Sequence, residues 1–170
     1  FGVRRALGKA AKHMPYFKGH NFLMKGAEMA EEYFVGQALV WPEREVSSVL
    51  RPEYDKGEGA FELAAPIYAR VSDKSELIRK QYLDMNMWLP GDILLKADKM
   101  CMAHSLELRV PFLDRRVMEF AEHIPDRYRV NENGNKLVLR HAANKSLPDE
   151  WATRPKVGFP VPMIYWLREE

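Results

Sequence analysis

Apolar side chains recur every three or four residues along most of the chain, and this spacing predicts helices rather than strands. Ile78, Tyr82, Met85 and Leu89 follow an i, i+4, i+7, i+11 pattern, which predicts one buried stripe. Further helices are expected over residues 1–14, 20–40, 42–50, 92–105, 114–123 and 136–145, and from 162 onward. Only residues 127–130 look strand-like, so the pattern predicts a mostly α fold.

Capping and breaking residues set the expected helix ends. Asp73 can cap the helix that carries the stripe, with Glu76 as its capping-box partner, and Pro90-Gly91 is expected to end that helix. Asp92 then begins the next helix, and Asp114 caps the one after it.

Glycine and proline mark the segments expected to be irregular. Residues 53–71 contain Gly57, Gly59 and Pro66, so they are expected to be a loop with some helical content. Asn133-Gly134 predicts a turn.

Composition narrows the class of protein. The chain has 170 residues, 46% of them hydrophobic and 29% charged, which is ordinary for a globular protein. The net charge of +2 is too small to imply a nucleic-acid partner. Because Cys101 is the single cysteine, no internal disulfide can form, and a cytoplasmic location is expected. No apolar run approaches the roughly 18 residues of a membrane-spanning helix, so no membrane span is expected. The five histidines lack metal-ligand spacing, so no metal site is expected.

The helix beginning at Asp92 places Asp92, Lys96 and Lys99 on one face. Such a stripe can hold a phosphate, directly or through a metal ion. It can also be a solvated row of salt bridges, and periodicity alone favours this second interpretation.

A proline-fixed corner follows this helix. Glu107 and Arg109 alternate along an extended segment, so they point the same way and favour a structural ion pair. Leu106, Leu108 and Val110 are expected to point the other way, into a core.

Lys156 is the strongest single candidate for chemistry. It lies between Pro155 and Gly158 in a loop stiffened by further prolines, which would hold its charge in place at little entropic cost. An exposed surface lysine is an equally good interpretation of the pattern alone.

The order of these motifs resembles one family. Residues 96–114 read Lys-Ala-Asp-Lys-Met-Cys-Met-Ala-His-Ser-Leu-Glu-Leu-Arg-Val-Pro-Phe-Leu-Asp, and they resemble the late part of the glutamine-hydrolysing asparagine synthetases. The resemblance includes Leu89-Pro-Gly-Asp92 before this stretch. After it come Lys136-Leu-Val-Leu-Arg140, Leu147-Pro148, Arg154-Pro-Lys-Val-Gly-Phe159 and a helix with Trp166. It is strongest over residues 75–170, whereas residues 1–74 match only in being helical.

The resemblance implies a fold. Residues 1–170 would be a single helical piece: the C-terminal portion of an α/β synthetase domain of the ATP-pyrophosphatase (adenine nucleotide α-hydrolase-like) type. The family's parallel sheet, its Ser-Gly-Gly-Leu-Asp-Ser pyrophosphate loop, its Gly-Glu-Gly-Ala/Ser-Asp-Glu motif and its glutaminase domain with a terminal cysteine nucleophile do not occur here. A chain that starts at Phe1 is therefore expected to be a fragment, inactive alone.

The resemblance also implies chemistry for the whole protein. ATP with Mg²⁺ would activate aspartate as an acyl-adenylate, and glutamine-derived ammonia would displace AMP. Lys156 matches the family lysine that stabilises phosphate charge. Asp92 and Lys96 would line the same ATP and pyrophosphate cleft, while Glu107, Arg109 and Asp114 would fix the corner.

Several alternatives stay open at this point. The fragment itself is expected to bind no cofactor and to self-associate through the apolar stripe or a neighbouring helix face. The acceptor could be another carboxylate, as in a β-lactam synthetase or a peptide-modifying relative. The alternative that is not an enzyme is a self-contained helical binding module.

Overall fold

The computed structural model describes residues 2–11, 14–15, 17–24, 29–37, 43–46, 48–155, 157 and 163–169. These residues are mainly helical, with one two-stranded antiparallel sheet. They divide into two compact units, residues 1–111 and 112–170.

The first unit contains helices of several lengths. In chain order they are α1 (Gly2–Ala11), α2 (His20–Met24), α3 (Ala30–Tyr33), α4 (Glu43–Val46), α5 (Ala60–Ala69), α6 (Glu76–Asn86), a π-helix (Leu89–Leu94) and α7 (Leu95–Met102).

The second unit has shorter elements. A 3₁₀ turn (Pro111–Leu113) leads into α8 (Arg115–Glu122), α9 (Asp126–Arg129), β1 (Val130–Asn131), β2 (Gly134–Asn135), α10 (Leu137–Ala143), α11 (Asp149–Thr153) and α12 (Met163–Glu169). Val130 pairs with Asn135 and Asn131 with Gly134 across the hairpin.

The core of the first unit lies where α3, α5 and α6 meet. Ala30, Ala64, Tyr68 and Leu83 are buried together, and half-buried neighbours pack around them: Phe34, Val35, Ile67 and Met87. Among the described residues, Leu83 is the largest side chain that is completely buried. The Tyr68 hydroxyl donates to the carbonyl of Phe34 at 2.8 Å, so burial leaves this polar group satisfied.

The single helix predicted over residues 20–40 is wrong. Met29 is extended, and its N–H donates to the Glu32 carboxylate at 2.9 Å, which starts α3 as a new helix. Phe34 is extended as well, and Gly36 has a φ of +118°, so α3 ends after one turn.

Residues 53–71 were predicted to be a loop with some helical content, and that content is α5, which occupies ten of these residues. The Glu62 carboxylate accepts from the Gly59 N–H at 3.1 Å and begins the helix. Pro66 lies inside α5 and removes one backbone hydrogen bond. Burial of Ala64 and Tyr68 on the inner face of α5 offsets that loss.

The stripe predicted on α6 is displaced. Arg79 and Leu83 are the buried residues of this helix, whereas Met85 is exposed and Ile78, Tyr82 and Leu89 are half-buried. The pattern missed this face because a charged side chain occupies one of its inner positions. The cap of α6 is Ser75, whose hydroxyl accepts from the Ile78 N–H, and not Asp73, which pairs with Lys74 at 2.7 Å.

Pro90-Gly91 does not end the helical segment, and Asp92 does not begin a new helix. A π-helix runs through these residues and continues directly into α7. Proline interrupts the α-helical hydrogen-bond pattern, and the wider π-turn accommodates the interruption.

The second unit has little buried apolar surface: among its described residues, Ala152 is the buried hydrophobic side chain. Residues 127–129, predicted as strand, belong to α9, and only Val130 starts β1. The turn of the hairpin falls on Glu132-Asn133, one residue before the predicted one. The predicted helices after Asp114 and Lys136 are present as α8 and α10.

Candidate functional site

Asp92 lies within the π-helix, and two neighbours hold its carboxylate. Trp88 Nε1 donates to Oδ2 at 3.1 Å, and Lys96 Nζ lies 3.3 Å from Oδ1. Both partners are four residues away, so a helical register supplies the geometry. Extra residues in π-turns occur often at functional sites, which makes this segment a candidate site.

The Asp92–Lys96 pair is open to solvent. The side chains are 46% and 61% exposed, and Lys99 on the next turn is exposed too. An exposed pair of this kind contributes about 0.3–0.5 kcal/mol to stability. The structure thus brings Asp92 and Lys96 together as the spacing predicts, in the form of a solvated salt bridge.

The predicted ion pair at the corner after α7 is present. Arg109 Nη2 lies 2.6 Å from Glu107 Oε1, and both side chains are mostly exposed. Ser105 turns the chain with a φ of +56° immediately before this segment. The corner therefore presents one acidic and one basic group side by side on an extended backbone.

The apolar side of this corner does not enter a core. Leu106, Leu108 and Val110 are 61%, 42% and 42% exposed, so the sequence-based expectation of burial is wrong. Hydrophobic alternation predicts which side chains share a face, but it does not say what covers that face.

Asp114 caps α8 as predicted. Its Oδ1 accepts from the Arg116 N–H at 3.0 Å and from the Arg116 guanidinium at 3.2 Å. These two hydrogen bonds hold the pKa of the Asp114 carboxyl below its usual value. Asp114 thus has a structural role in starting α8.

Arg140 connects α10 to the end of β2 and to the carboxyl end of α11. Its Nη1 donates to the carbonyl oxygens of Ala152 at 2.8 Å and Arg154 at 2.9 Å. Its Nε donates to the carbonyl of Asn135 at 3.2 Å. Arg140 also lines a cleft of about 450 Å³, together with Asn133, Gly134, Asn135, Leu137, His141, Asn144, Thr153 and Pro155.

Lys156, the candidate for chemistry, lies outside the described residues. It directly follows Pro155, which borders this cleft.

A polar cluster on α3 and α6 was not predicted from the sequence. Arg79 pairs with Glu31, while Lys80 contacts both Glu76 and the Tyr33 hydroxyl. Arg79 is 5% exposed, and such burial is uncommon for arginine without a partner.

Burial and neighbouring charges shift three pKa values in this region. Burial would raise the pKa of Glu76, but hydrogen bonds from Lys80 and Tyr33 outweigh it and lower that pKa. Burial raises the pKa of the Asp84 carboxyl, only partly offset by the N–H of Gln37. Burial also raises the pKa of Tyr33, helped by its hydrogen bond to Glu76.

Trp88 and Arg140 are the site residues that the sequence did not single out. Trp88 precedes Asp92 by four residues, so helical spacing could have found it. The contacts of Arg140 span 12 and 14 residues and depend on how α10 meets α11, which no local pattern reveals.

Among the described residues, no three histidine, cysteine or carboxylate side chains come together as metal ligands. None of the described helices is both long enough and apolar enough to span a membrane.

Comparison with known proteins points to one family. The sequence model of the asparagine synthase family matches residues 5–170. The chain is 37% identical to "Asparagine synthetase [glutamine-hydrolyzing] 1" of Bacillus subtilis (strain 168), over 99% of this chain and 27% of the relative. It is 38% identical to "Putative asparagine synthetase [glutamine-hydrolyzing]" of Mycobacterium bovis, over 98% and 26%. No solved structure gives a significant match.

The described residues form a mainly helical protein segment with an exposed Glu107–Arg109 ion pair, an N-capped α8, and an arginine, Arg140, that donates to the carbonyls at the end of α11. The chain belongs to the asparagine synthase family. The match begins at residue 5, so the likeness also covers residues before 75, where motifs gave only helical character. The chain spans about a quarter of the length of the curated relatives it matches.

Proposed function

We propose that this chain is the helical, carboxyl-terminal part of an ATP-dependent synthetase that makes asparagine from aspartate and glutamine-derived ammonia. The observation that supports it most is the family match over residues 5–170. The ordered motifs from Leu89 to Trp166 agree with it.

The proposed reaction has two steps. The side-chain carboxylate of aspartate attacks the α-phosphorus of ATP, and pyrophosphate leaves to give an acyl-adenylate. Ammonia then attacks the acyl carbon, and AMP leaves. The first step develops negative charge on the α-phosphate and pyrophosphate, so fixed positive charge beside them accelerates it.

Lys156 is the proposed source of that charge in this chain. A compact ammonium group placed there would favour the transition state over bound ATP. Lys96 is the proposed second anion contact, and Asp92, itself held by Trp88, would orient the Lys96 side chain. Glu107, Arg109 and Asp114 would fix the corner.

ATP and Mg²⁺ are the proposed cofactors of the whole protein. We propose that the ion binds with the nucleotide phosphates and with other parts of the protein, since Mg²⁺ commonly takes only one or two carboxylates beside phosphate and water ligands. Those parts would also include the ATP-pyrophosphatase-type sheet and the glutaminase nucleophile, and the whole protein is proposed to work in the cytoplasm.

The test uses the full-length protein that contains this chain. With aspartate, glutamine, ATP and Mg²⁺, we expect asparagine, AMP and pyrophosphate in equal amounts, and ammonia should replace glutamine. The 170-residue chain alone should release no pyrophosphate. Formation of ADP and phosphate, or no dependence on aspartate while another carboxylate is consumed, would overturn the proposed substrate. A full-length protein without any ATP turnover would favour a binding module.

A further inference from the structure

Arg140 differs from the exposed arginines of the chain in its partners. Arg109 and Arg115 each pair with a carboxylate, on Glu107 and Glu119. Arg140 is half-buried, and its hydrogen-bond acceptors are neutral backbone carbonyls. In the part of the chain that the structure describes, no carboxylate therefore neutralises its positive charge.

The guanidinium of Arg140 keeps one nitrogen for a ligand. Nη1 donates to the carbonyls of Ala152 at 2.8 Å and Arg154 at 2.9 Å, and Nε donates to the carbonyl of Asn135 at 3.2 Å. No described acceptor takes a hydrogen bond from Nη2, the third nitrogen of the fork. Because the other contacts hold the planar group in place, Nη2 is a cationic donor with little motion left to lose.

Further donors line the cleft of about 450 Å³ beside Arg140. Asn133, Asn135, Asn144 and His141 line it, and each carries a side-chain group that can donate a hydrogen bond. None of these four side chains is hydrogen-bonded to another described residue. The described lining contains no carboxylate, so the cleft combines positive charge with several unused donors.

The cleft has the size and the position of a small-molecule site. Ligand pockets typically enclose about 300–1,000 Å³, and this volume falls within that range. Its walls come from the β1–β2 hairpin, α10 and the end of α11. Few described apolar side chains are buried in this unit, so a ligand that touches all three elements would stabilise it by binding only the folded form.

We propose that this cleft binds a small oxyanion, the phosphoryl or carboxylate group of a ligand, with Arg140 Nη2, His141 and Asn144 as donors. A guanidinium binds such groups through charge-assisted hydrogen bonds, and amide and imidazole N–H groups add further ones. A cation would be repelled, and an uncharged ligand would leave the charge of Arg140 without a counterion. The site goes beyond the proposed function, because oxyanion binding here requires no step of that reaction.

The first experiment detects binding through His141 in the full-length protein that contains this chain. Diethyl pyrocarbonate acylates accessible histidines, and peptide mass spectrometry follows the rates at His141 and at His123, which is exposed but does not line the cleft. Inorganic phosphate should slow the reaction of His141 several-fold and leave that of His123 unchanged. Sodium chloride at equal ionic strength should slow neither.

A parallel titration with acetate distinguishes the two sources of the oxyanion. Protection of His141 by phosphate alone assigns a phosphoryl site, protection by acetate alone assigns a carboxylate site, and protection by both supports the shared chemistry. If neither anion protects His141, or if His141 does not react even without them, the proposal is overturned.

Two variants that lower the net charge by the same amount test where the anion binds. Asn144→Asp places a carboxylate in the cleft, whereas Lys145→Gln removes a positive charge from the next residue, which is exposed and does not line the cleft. Asn144→Asp should raise the phosphate or acetate concentration that protects His141 by about tenfold or more, through a lost donor and charge repulsion. Lys145→Gln should raise it less than about threefold, because solvent screens the exposed charge.

The outcome does not depend on one variant alone. Asn135→Asp places a carboxylate at another position of the lining and should weaken protection as Asn144→Asp does, even if one of the two variants changes the rate of His141 without any anion. Equal weakening by the cleft variants and Lys145→Gln would mean general attraction to a basic surface and would overturn the site. These rates use no turnover, so a failed site leaves the proposed asparagine synthesis untouched.

Discussion

The two units bind arginine side chains in different ways. In the first unit, Arg79 meets the carboxylate of Glu31 beside an apolar cluster that includes Leu83. In the second unit, Arg129 and Arg140 meet backbone carbonyls, and buried apolar side chains are scarce among the described residues. An ion pair makes the free energy of unfolding depend on the charge of its carboxylate. A guanidinium bound to carbonyl oxygens holds the backbone in place and has no titrating partner.

This difference predicts which substitutions should lower the free energy of unfolding most. In the first unit, stability should depend on filling the space around Leu83. In the second unit, where few described apolar side chains are buried, truncating a single side chain should lower the free energy of unfolding less.

Leu83→Ala should have the largest effect on the stability of the first unit. Leu83 is completely buried, and its truncation leaves a cavity that typically costs about 2–5 kcal/mol of unfolding free energy. Leu63→Ala on α5, where the leucine is 48% exposed, is the matched control and should cost less than about 1 kcal/mol. Urea unfolding followed by circular dichroism measures both, and equal losses would contradict the assigned core.

Arg79→Met should have the second-largest effect on the stability of the first unit. It leaves Glu31 without its partner in a largely buried setting, which costs about 3 kcal/mol, the low end for a buried pair because Glu31 is 30% exposed.

The double variant Glu31→Leu with Arg79→Met removes both charges and should recover most of that loss. The exposed pair of Arg115 and Glu119 provides the control, since Arg115→Met should cost less than about 0.5 kcal/mol. No recovery in the double variant would mean that Arg79 stabilises the unit by packing rather than by charge.

The pH dependence gives a smaller effect with opposite signs at two carboxylates. The pKa of Glu76 is lowered on folding, so its stabilising contribution is complete above its ordinary pKa of about 4.5 and is lost as the pH falls. The pKa of Asp84 is raised, so the charged Asp84 opposes folding as the pH rises above its ordinary pKa of 3.8.

Two substitutions separate these contributions. Relative to Glu76→Gln, the natural chain should lose stability as the pH is lowered. Relative to Asp84→Asn, it should lose stability as the pH is raised. Urea midpoints between about pH 3 and pH 7 measure both differences. Parallel trends in the two comparisons would show that hydrogen bonding at Glu76 and burial at Asp84 do not control the pKa values of these carboxyl groups.

Local features of the fold were predictable where the determining residues are close in sequence. Asp114 caps α8 two residues away, and Glu107 meets Arg109 two residues away, so spacing alone sufficed for both. The Asp92–Lys96 pair follows from one helical turn in the same way.

Features set by distant residues were not predictable. Pro66 and Pro90 look like helix breakers, yet burial on α5 and a π-turn keep both segments helical. Arg79 looks like a surface residue until Glu31, 48 positions earlier, supplies its partner. Arg140 likewise gains its role from carbonyls 12 and 14 positions later. Such contacts depend on how helices pack, and periodicity does not encode that packing.

The central claim is that Lys156 supplies fixed positive charge in the first chemical step. The turnover of asparagine synthesis by the full-length protein with Lys156→Ala tests this claim most directly. Losing a fixed charge at the transition state should lower kcat by about a hundredfold to a thousandfold. The KM for ATP should change little, and ammonia release from glutamine should continue. Lys156→Arg should recover little, and the exposed control Lys145→Ala should keep normal turnover. Near-normal asparagine synthesis by a folded Lys156→Ala protein would contradict the claim.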